Sequence, residues 1–322
     1  MSEDLTNMGM ALVETEYEAR LDAACKALLS DKQVLAHLLK GCAEEYADCS
    51  IQEIVECIEG EPLVSRVGME RDIPSPPKIQ GMLTEDATLH EGMVKYDILF
   101  RSRLPHGNGL TELIVNVEAQ NDFRPGYSLV TRGIYYVSRL ISAQKNVRFE
   151  GSDYQNIAKV YSMWVCINPA EGWRDTLTLY RLKEENLVGN AHETPDAYDK
   201  LCIVIVGLGK GSKPSQNPLL DMLKVLLDTD LSAGQKMQEL QKYGIQSTKS
   251  LEGRATDMCN FSKGVLEKGR EEGRRQGIFS LISTLMEMGS QKDFIVSKVA
   301  EKFQLTMEEA QDYYTEYLHS HS

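Results

Sequence analysis

The chain has 322 residues, with 48 acidic against 35 basic side chains and a formal net charge of -13. Its composition, 42% apolar and 26% charged, excludes wholesale disorder; no apolar run reaches the ~18–20 residues that span a bilayer, and no basic-then-apolar leader opens the chain, so neither a membrane partner nor a secretory signal is expected. The seven cysteines are scattered, odd in number and without CxxC spacing; they read as reduced thiols of a cytoplasmic protein, with no zinc cluster or disulfide framework.

Residues 1–30 read as a polar, partly helical lead-in. From Asp31, the residues Val34, Leu35, Leu38, Leu39 and Cys42 fall at helical spacing. Ser50 and Glu53 make a capping box that opens a second helix, with Gly60 as its C-cap. The Pro-rich stretch 71–81 then forces an extended loop. KIQGMLTED (78–86) reads as a short strand. GMVKYDILFRSR (92–103) and TELIVNVEAQ (111–120), joined by the turn cluster LPHGNG, read as a β-hairpin over 92–120.

The stretch 127–144 carries Leu129, Val130, Ile134, Val137, Leu140 and Ile141 at the spacing of a helix lying on a sheet. NIAKVYSMWVCIN (156–168) and LCIVIVGLG (201–209) are continuous apolar runs suited to strands buried on both faces. From 32 to 167 the order is therefore helix, strand, strand, strand, helix, strand. That is an α/β (α+β) core, one domain over 31–210. A helical C-terminal region follows over 214–322. Its first two helices break at Asp228–Ser232, and Thr306 with Glu309 caps a late one. Between them, Gly264, Gly269, Gly273 and Gly277 interrupt a charged segment, 262–277. At ~1 kcal/mol per interior glycine, a marginal or mobile connector is expected.

The charge is unevenly placed. Residues 1–95 hold 19 acids and 8 bases, whereas 96–145 hold four acids (Asp97, Glu112, Glu118, Asp122) and six bases (Arg101, Arg103, Arg124, Arg132, Arg139, Lys145). The negative total therefore does not bar a polyanion from the middle of the chain. Asp97 lies in the run VKYDILF and Glu118 near the end of LIVNVEAQ, so paired strands would bring the two carboxylates together. Close carboxylates repel unless a cation lies between them, and hard oxygen donors suit Mg²⁺ or Mn²⁺. Gln120, two residues on, shares the face of Glu118. The other reading of these acids is as edge carboxylates on a solvent-facing strand; their apolar neighbours weigh against it, because a buried charge needs a partner.

On these residues, and on the run YDILF…LIVNVEAQNDFRPGYSLVTRGIYYVSRLISAQ, the chain resembles the PD-(D/E)xK nuclease family transposases, related to the recombination-promoting nuclease group. The resemblance covers roughly 30–210 and implies a restriction-endonuclease-like α-β-β-β-α-β core with a helical C-terminal extension. It implies that Asp97 and Glu118 hold Mg²⁺ (or Mn²⁺), and that Gln120 stands where many relatives have a water-orienting lysine. Tyr96 precedes Asp97 where the motif has Pro. The implied reaction is hydrolysis of a DNA phosphodiester, associated with mobile elements or recombination, with Arg132 as a phosphate contact. Arg132 also fits a sheet-capping arginine. A further acid often completes such sites, and Glu44, Glu45, Glu56, Glu59, Glu61, Glu85 and Asp86 are all candidates.

Two other functions remain open. One is a non-catalytic DNA- or protein-binding regulatory protein on a nuclease scaffold, for which SKVAEKFQLTMEEAQDYYTEY loosely resembles a helix-turn-helix. That segment equally suits packing or homo-oligomerisation through the C-terminal helices, since it lacks a basic second helix. The other is an acidic protein-binding module in 1–60. VGLGKGSK lacks the spacing of a phosphate-binding loop, Pro195–Asp196 sits in a polar loop, and the six histidines are dispersed.

Overall fold

KVYSMWVCIN and LCIVIVG become parallel neighbours in the middle of a mixed α/β structure. Their β-branched and aromatic side chains fit a pleated surface covered on both sides, and residues 159–166 and 202–207 are all buried. The computed structural model describes residues 19–65, 85–88, 92–105, 112–209 and 214–320. In chain order, helices at 19–29 (α1), Lys32–Cys42 (α2) and Ile51–Cys57 (α3) precede strands Leu63–Val64 (β1), Glu85–Thr88 (β2), Gly92–Lys95 (β3), Ile98–Arg103 (β4) and Glu112–Asp122 (β5). Helix Leu129–Ser142 (α4), strands Lys159–Asn168 (β6) and Thr176–Arg181 (β7), the short helix Pro195–Tyr198 (α5) and strand Leu201–Gly207 (β8) follow. Helices Pro218–Leu227 (α6), Ala233–Gln241 (α7), Lys249–Glu287 (α8), Lys292–Phe303 (α9) and Met307–Ser320 (α10) complete the chain.

Six strands form one sheet in the order β1-β4-β5-β6-β8-β7, while β2 and β3 pair separately. β4 and β5 are antiparallel, with Ile98 opposite Val117. β5 and β6 are parallel, with Glu118 beside Trp164, so the chain must cross over between them. Helix α4 makes that crossover. Leu129, Tyr136, Val137 and Leu140 pack with Trp164, Ile203 and Ile205 in a single core. Gly133 lets α4 lie this close, because a Cβ there would stand 2.7 Å from Ile203 Cγ2. Ile134, expected on this buried face, is 48% exposed; the close approach at Gly133 turns it outward. The opposite face of the sheet buries Tyr161, Met163, Val165, Val204 and Val206. Tyr46, just before α3, donates its hydroxyl to Ser102 Oγ there at 2.6 Å.

Three expectations need correction. The strand expected over 92–103 is interrupted at Tyr96–Asp97: β3 leaves to pair with β2, and β4 begins at Ile98. At the break, Asp97 O accepts the backbone N–H of Ser65 at 2.8 Å. The turn expected at 104–109 lies mostly outside the described residues, as does most of the strand expected at 78–86. Second, the sheet-bearing unit runs from Asp22 to Cys259, not from 31 to 210. Ala24, Cys25, Leu28 and Leu29 of α1 are buried, as are Leu220, Leu223 and Leu226 of α6 and Leu251, Ala255 and Met258 of α8. The lead-in is thus part of the core at its C-terminal end. Third, the glycine-containing segment 262–277 is a continuous stretch of α8. Extending a helix that is already nucleated adds a hydrogen bond per residue, and α8 is anchored by packed residues on either side of the glycines: Leu251 and Ala255 before them, Ile278 and Ile282 after.

The other unit includes Asn260–Ser322. Ile278, Ile282, Ile295, Val296, Val299, Ala310 and Tyr314 form its core. Gln304 ends α9 in the left-handed region (φ 54°), and Thr306 caps α10 through its bonds with Glu309. α10 contains no Lys or Arg, which is poor chemistry for a groove-reading helix. Among the described residues no helix is long and apolar enough to cross a membrane. All seven cysteines are free.

Candidate functional site

The alternation of β5 sends Asn116, Glu118 and Gln120 to the α4 side of the sheet. Asn116 and Glu118 are polar groups buried in an apolar layer, and their hydrogen bonds account for how they stay there. Trp164 Nε1 donates to Ser162 Oγ (2.9 Å), Ser162 Oγ to Asn116 Oδ1 (3.4 Å), and Asn116 Nδ2 to Glu118 Oε1 (2.8 Å). Asn116, Ser162 and Trp164 are fully buried and Glu118 is 4% exposed. The chain of bonds runs straight to the carboxylate.

Asp97 meets Glu118 because the antiparallel register carries 97 opposite 118 just beyond the Ile98–Val117 pair. The two residues hold each other. The backbone N–H of Asp97 donates to Glu118 Oε1 at 3.1 Å, and the N–H of Ala119 donates to Asp97 Oδ2 at 3.1 Å. Each carboxylate is anchored to the strands through one oxygen, and on Asp97 the second is taken up by a cation. That oxygen, Oδ1, is 2.7 Å from the ammonium of Lys26, which also pairs with Asp22 at 2.5 Å. Asp22 and Lys26 lie four residues apart, on one side of α1.

A cleft of about 420 Å³ opens here, and Asp22, Lys26, Asp97, Glu118, Gln120 and Arg132 line it. Arg132 is braced by aromatic groups. Its guanidinium donates to Tyr127 Oη (2.8 Å) and Tyr136 Oη (2.6 Å) and lies over the rings of Tyr136 and Trp164, at 5.0 and 5.2 Å.

The electrostatics follow from burial beside like charge. Burial, and then the charge of Asp97, push the Glu118 carboxyl well above the ordinary glutamate range. Burial also raises Asp22. For Lys26 burial opposes the charge, but Asp97 and Asp22 outweigh it and hold the ammonium above its usual value. For Arg132 burial again opposes, and the hydrogen bonds it donates to Tyr136 outweigh it. The cleft is therefore a cluster of carboxylates held together by nearby cations.

Of the residues singled out from the sequence, Asp97, Glu118, Gln120 and Arg132 come together in this cleft. None of the candidate further acids whose side chains are described lines it. Glu44 pairs with Arg181, Glu45 with Lys159, and Glu59 with Arg103. Glu56 accepts from Gln52 and Glu61 is exposed; the side chains of Glu85 and Asp86 lie outside the described set. The acid that does reach the cleft is Asp22, together with Lys26, and sequence reading missed both. The signal available was Ala24, Cys25, Leu28 and Leu29 at helical spacing within the polar lead-in, marking a seated helix.

A pair of close carboxylates suits Mg²⁺, which commonly binds through one or two carboxylates and keeps several waters; on Asp97 Oδ1 such an ion would take the place of the Lys26 ammonium. The ammonium on Asp97 Oδ1 is a stand-in cation at that position. Among the described residues no group of three or more His, Cys, Asp or Glu side chains has metal-holding geometry. Compared with known protein families, with curated proteins and with solved structures, the chain matches none.

Proposed function

We propose that this chain is a metal-dependent endodeoxyribonuclease that hydrolyses DNA phosphodiester bonds, on a PD-(D/E)xK-type core and in the setting of mobile-element or recombination chemistry. The observation that carries the reading is the reciprocal hold of Asp97 and Glu118 across β4 and β5, at a cleft. The chain order α2, α3, β1, β4, β5, α4, β6 within the main sheet supports it, because it follows the α-β-β-β-α-β order that the resemblance implies.

Asp97 and Glu118 would hold Mg²⁺ or Mn²⁺, which when bound supplies a Lewis acid for a phosphoryl oxygen and makes water acidic enough to attack at neutral pH. The chain's own residues do the remaining work. Asn116 and the backbone N–H groups of Asp97 and Ala119 fix the orientation of both carboxylates before substrate arrives. Gln120, at the cleft on the same strand face, offers an amide that orients water without adding charge. Arg132, held rigid by Tyr127 and Tyr136, presents a guanidinium suited to a phosphate.

Purified protein is expected to nick supercoiled plasmid with Mg²⁺ or Mn²⁺. Asp97→Ala and Glu118→Ala should each reduce nicking by ~10³-fold or more, the several kcal/mol that metal-assisted charge stabilisation provides. Nicking that survives both substitutions unchanged would overturn the mechanism. A second reading, a non-catalytic regulatory protein on the same scaffold, is favoured by one observation: Lys26 already neutralises Asp97. Calorimetric titration with Mn²⁺ separates the two, since that reading expects no binding dependent on Asp97 and Glu118.

A further inference from the structure

Lys26 reaches the cleft from a helix that is itself held in place. α1 is fixed by buried Ala24, Cys25, Leu28 and Leu29. Arg254 holds its C-terminal end by donating to Ala27 O (2.8 Å) and Ser30 Oγ (3.2 Å). The side chain of Lys26 is only 9% exposed, yet its residue lines the cleft. An ammonium has three N–H donors. Two point to Asp97 Oδ1 and Asp22 Oδ2, and this leaves one for whatever enters the cleft.

Three carboxylates (Asp22, Asp97, Glu118) line the cleft beside three cations, Lys26 of α1, Lys95 of β3 and Arg132 of α4, while β5 itself offers a neutral amide at Gln120. Of these cations Lys26 is in direct contact with Asp97. Resting on the nuclease reading above, we infer that Lys26 is a catalytic residue of this site: it reaches in from α1 to supply the ammonium that the Glu-x-Gln strand lacks, and it donates its remaining N–H to the phosphodiester oxygen or to the attacking water. Asp22 is its positioning residue, pairing with the same ammonium four residues earlier on α1. No proton transfer is required of Lys26, which remains charged throughout.

The test compares wild type with Lys26→Met and Lys26→Arg in plasmid nicking, Mn²⁺ calorimetry and thermal melting. Removing one preorganised donor to transition-state charge costs ~10²–10³-fold. Lys26→Met should therefore lower kcat by ~100-fold or more, with Mn²⁺ affinity equal to or tighter than wild type. Lys26→Arg, which keeps the charge, should recover part of the rate. The double substitution Lys26→Met, Asp22→Asn removes a cation and an anion together; it serves if the single variant does not fold, and should show the same loss of rate. Unchanged nicking in Lys26→Met overturns the assignment. So does a parallel loss of nicking, Mn²⁺ affinity and melting temperature across the variants, which is the signature of a purely structural lysine. If wild type nicks no DNA with either metal, the nuclease reading fails, and the role of Lys26 is decided by calorimetry with inorganic phosphate in the presence of Mn²⁺. Phosphate binding that weakens ~10-fold in Lys26→Met, the size of one lost charge-assisted bond, supports the cationic role; phosphate binding that is unaffected or absent overturns it.

Discussion

Two lysines, Lys159 on β6 and Lys26 on α1, are each clamped between two carboxylates, in different surroundings. Lys159 pairs with Glu45 at 2.7 Å and Asp199 at 2.5 Å; Lys26 pairs with Asp97 at 2.7 Å and Asp22 at 2.5 Å. The distances are the same, but the surroundings are not. Lys159 is 2% exposed, Tyr161 donates to the second oxygen of Glu45, and the cluster lines no part of the cleft. It lies on the other face of the sheet, five residues down β6 from Trp164, about 17 Å at ~3.3 Å per residue. Lys26 shares its acid with a further carboxylate, Glu118, and faces the cleft. A buried triad whose carboxylate oxygens are all taken by neighbouring groups reads as structure. A triad that leaves a carboxylate oxygen and an ammonium N–H open reads as a site. Counting ion pairs would have ranked the two alike.

The largest stability effect should come from breaking the closed cluster. Lys159→Met leaves Glu45 and Asp199 buried without their cation, and should cost ~3–5 kcal/mol in urea unfolding. Nicking per folded molecule should be unchanged. If Lys159→Met instead lowers kcat without lowering stability, the contrast between the clusters is wrong. Gly133→Ala comes next. Its Cβ would stand 2.7 Å from Ile203 Cγ2 and 3.2 Å from Trp164 Nε1, an overpacking worth ~1–3 kcal/mol. Because Arg132 is the neighbouring residue, KM for DNA should rise as well; a rise in KM absent from a variant that has lost the expected stability would detach Arg132 from substrate binding.

The smallest effect sharpens the comparison from the open side. Burial and Asp97 raise the pKa of Glu118 above its ordinary value of 4.5, so the folded state holds that proton more tightly than the unfolded chain does. Glu118 therefore costs stability as pH rises beyond 4.5. Glu118→Gln keeps an acceptor for Asp97 N–H and Asn116 Nδ2. In chelator it should melt higher than wild type, by a margin that is absent at acid pH and grows as pH rises. Added Mg²⁺ should raise the melting temperature of wild type but not of the variant. A melting difference independent of pH would mean that Glu118 carries no strain of charge.

Much of this was legible in the sequence because local rules produced it. The capping boxes at Ser50–Glu53 and Thr306–Glu309, the helix break at Asp228–Ser232 and the buried strands of β6 and β8 follow from hydrogen-bond and side-chain periodicity within a few residues. So did the proximity of Asp97, Glu118 and Gln120, since a short connection between two apolar strands implies an antiparallel pair. β7 was missed. Its TLTLYR is only half-buried, and the strand exists because β8 offers it an edge. The glycine segment misled for a related reason: propensity prices each residue alone, whereas α8 is carried by packing on either side of its glycines.

The amino-acid sequence by itself determined most of the helices and central strands, the uneven charge and the carboxylate pair, because these depend on spacings of two to four residues and on adjacent strands. Only the tertiary structure decided which of the many N-terminal acids enters the cleft and which lysine answers them. Asp22 and Lys26 are about seventy residues from Asp97 in sequence and contiguous with it in space. That meeting is set by how α1 buries its apolar side, a long-range packing outcome that no local pattern around Asp97 or Glu118 encodes.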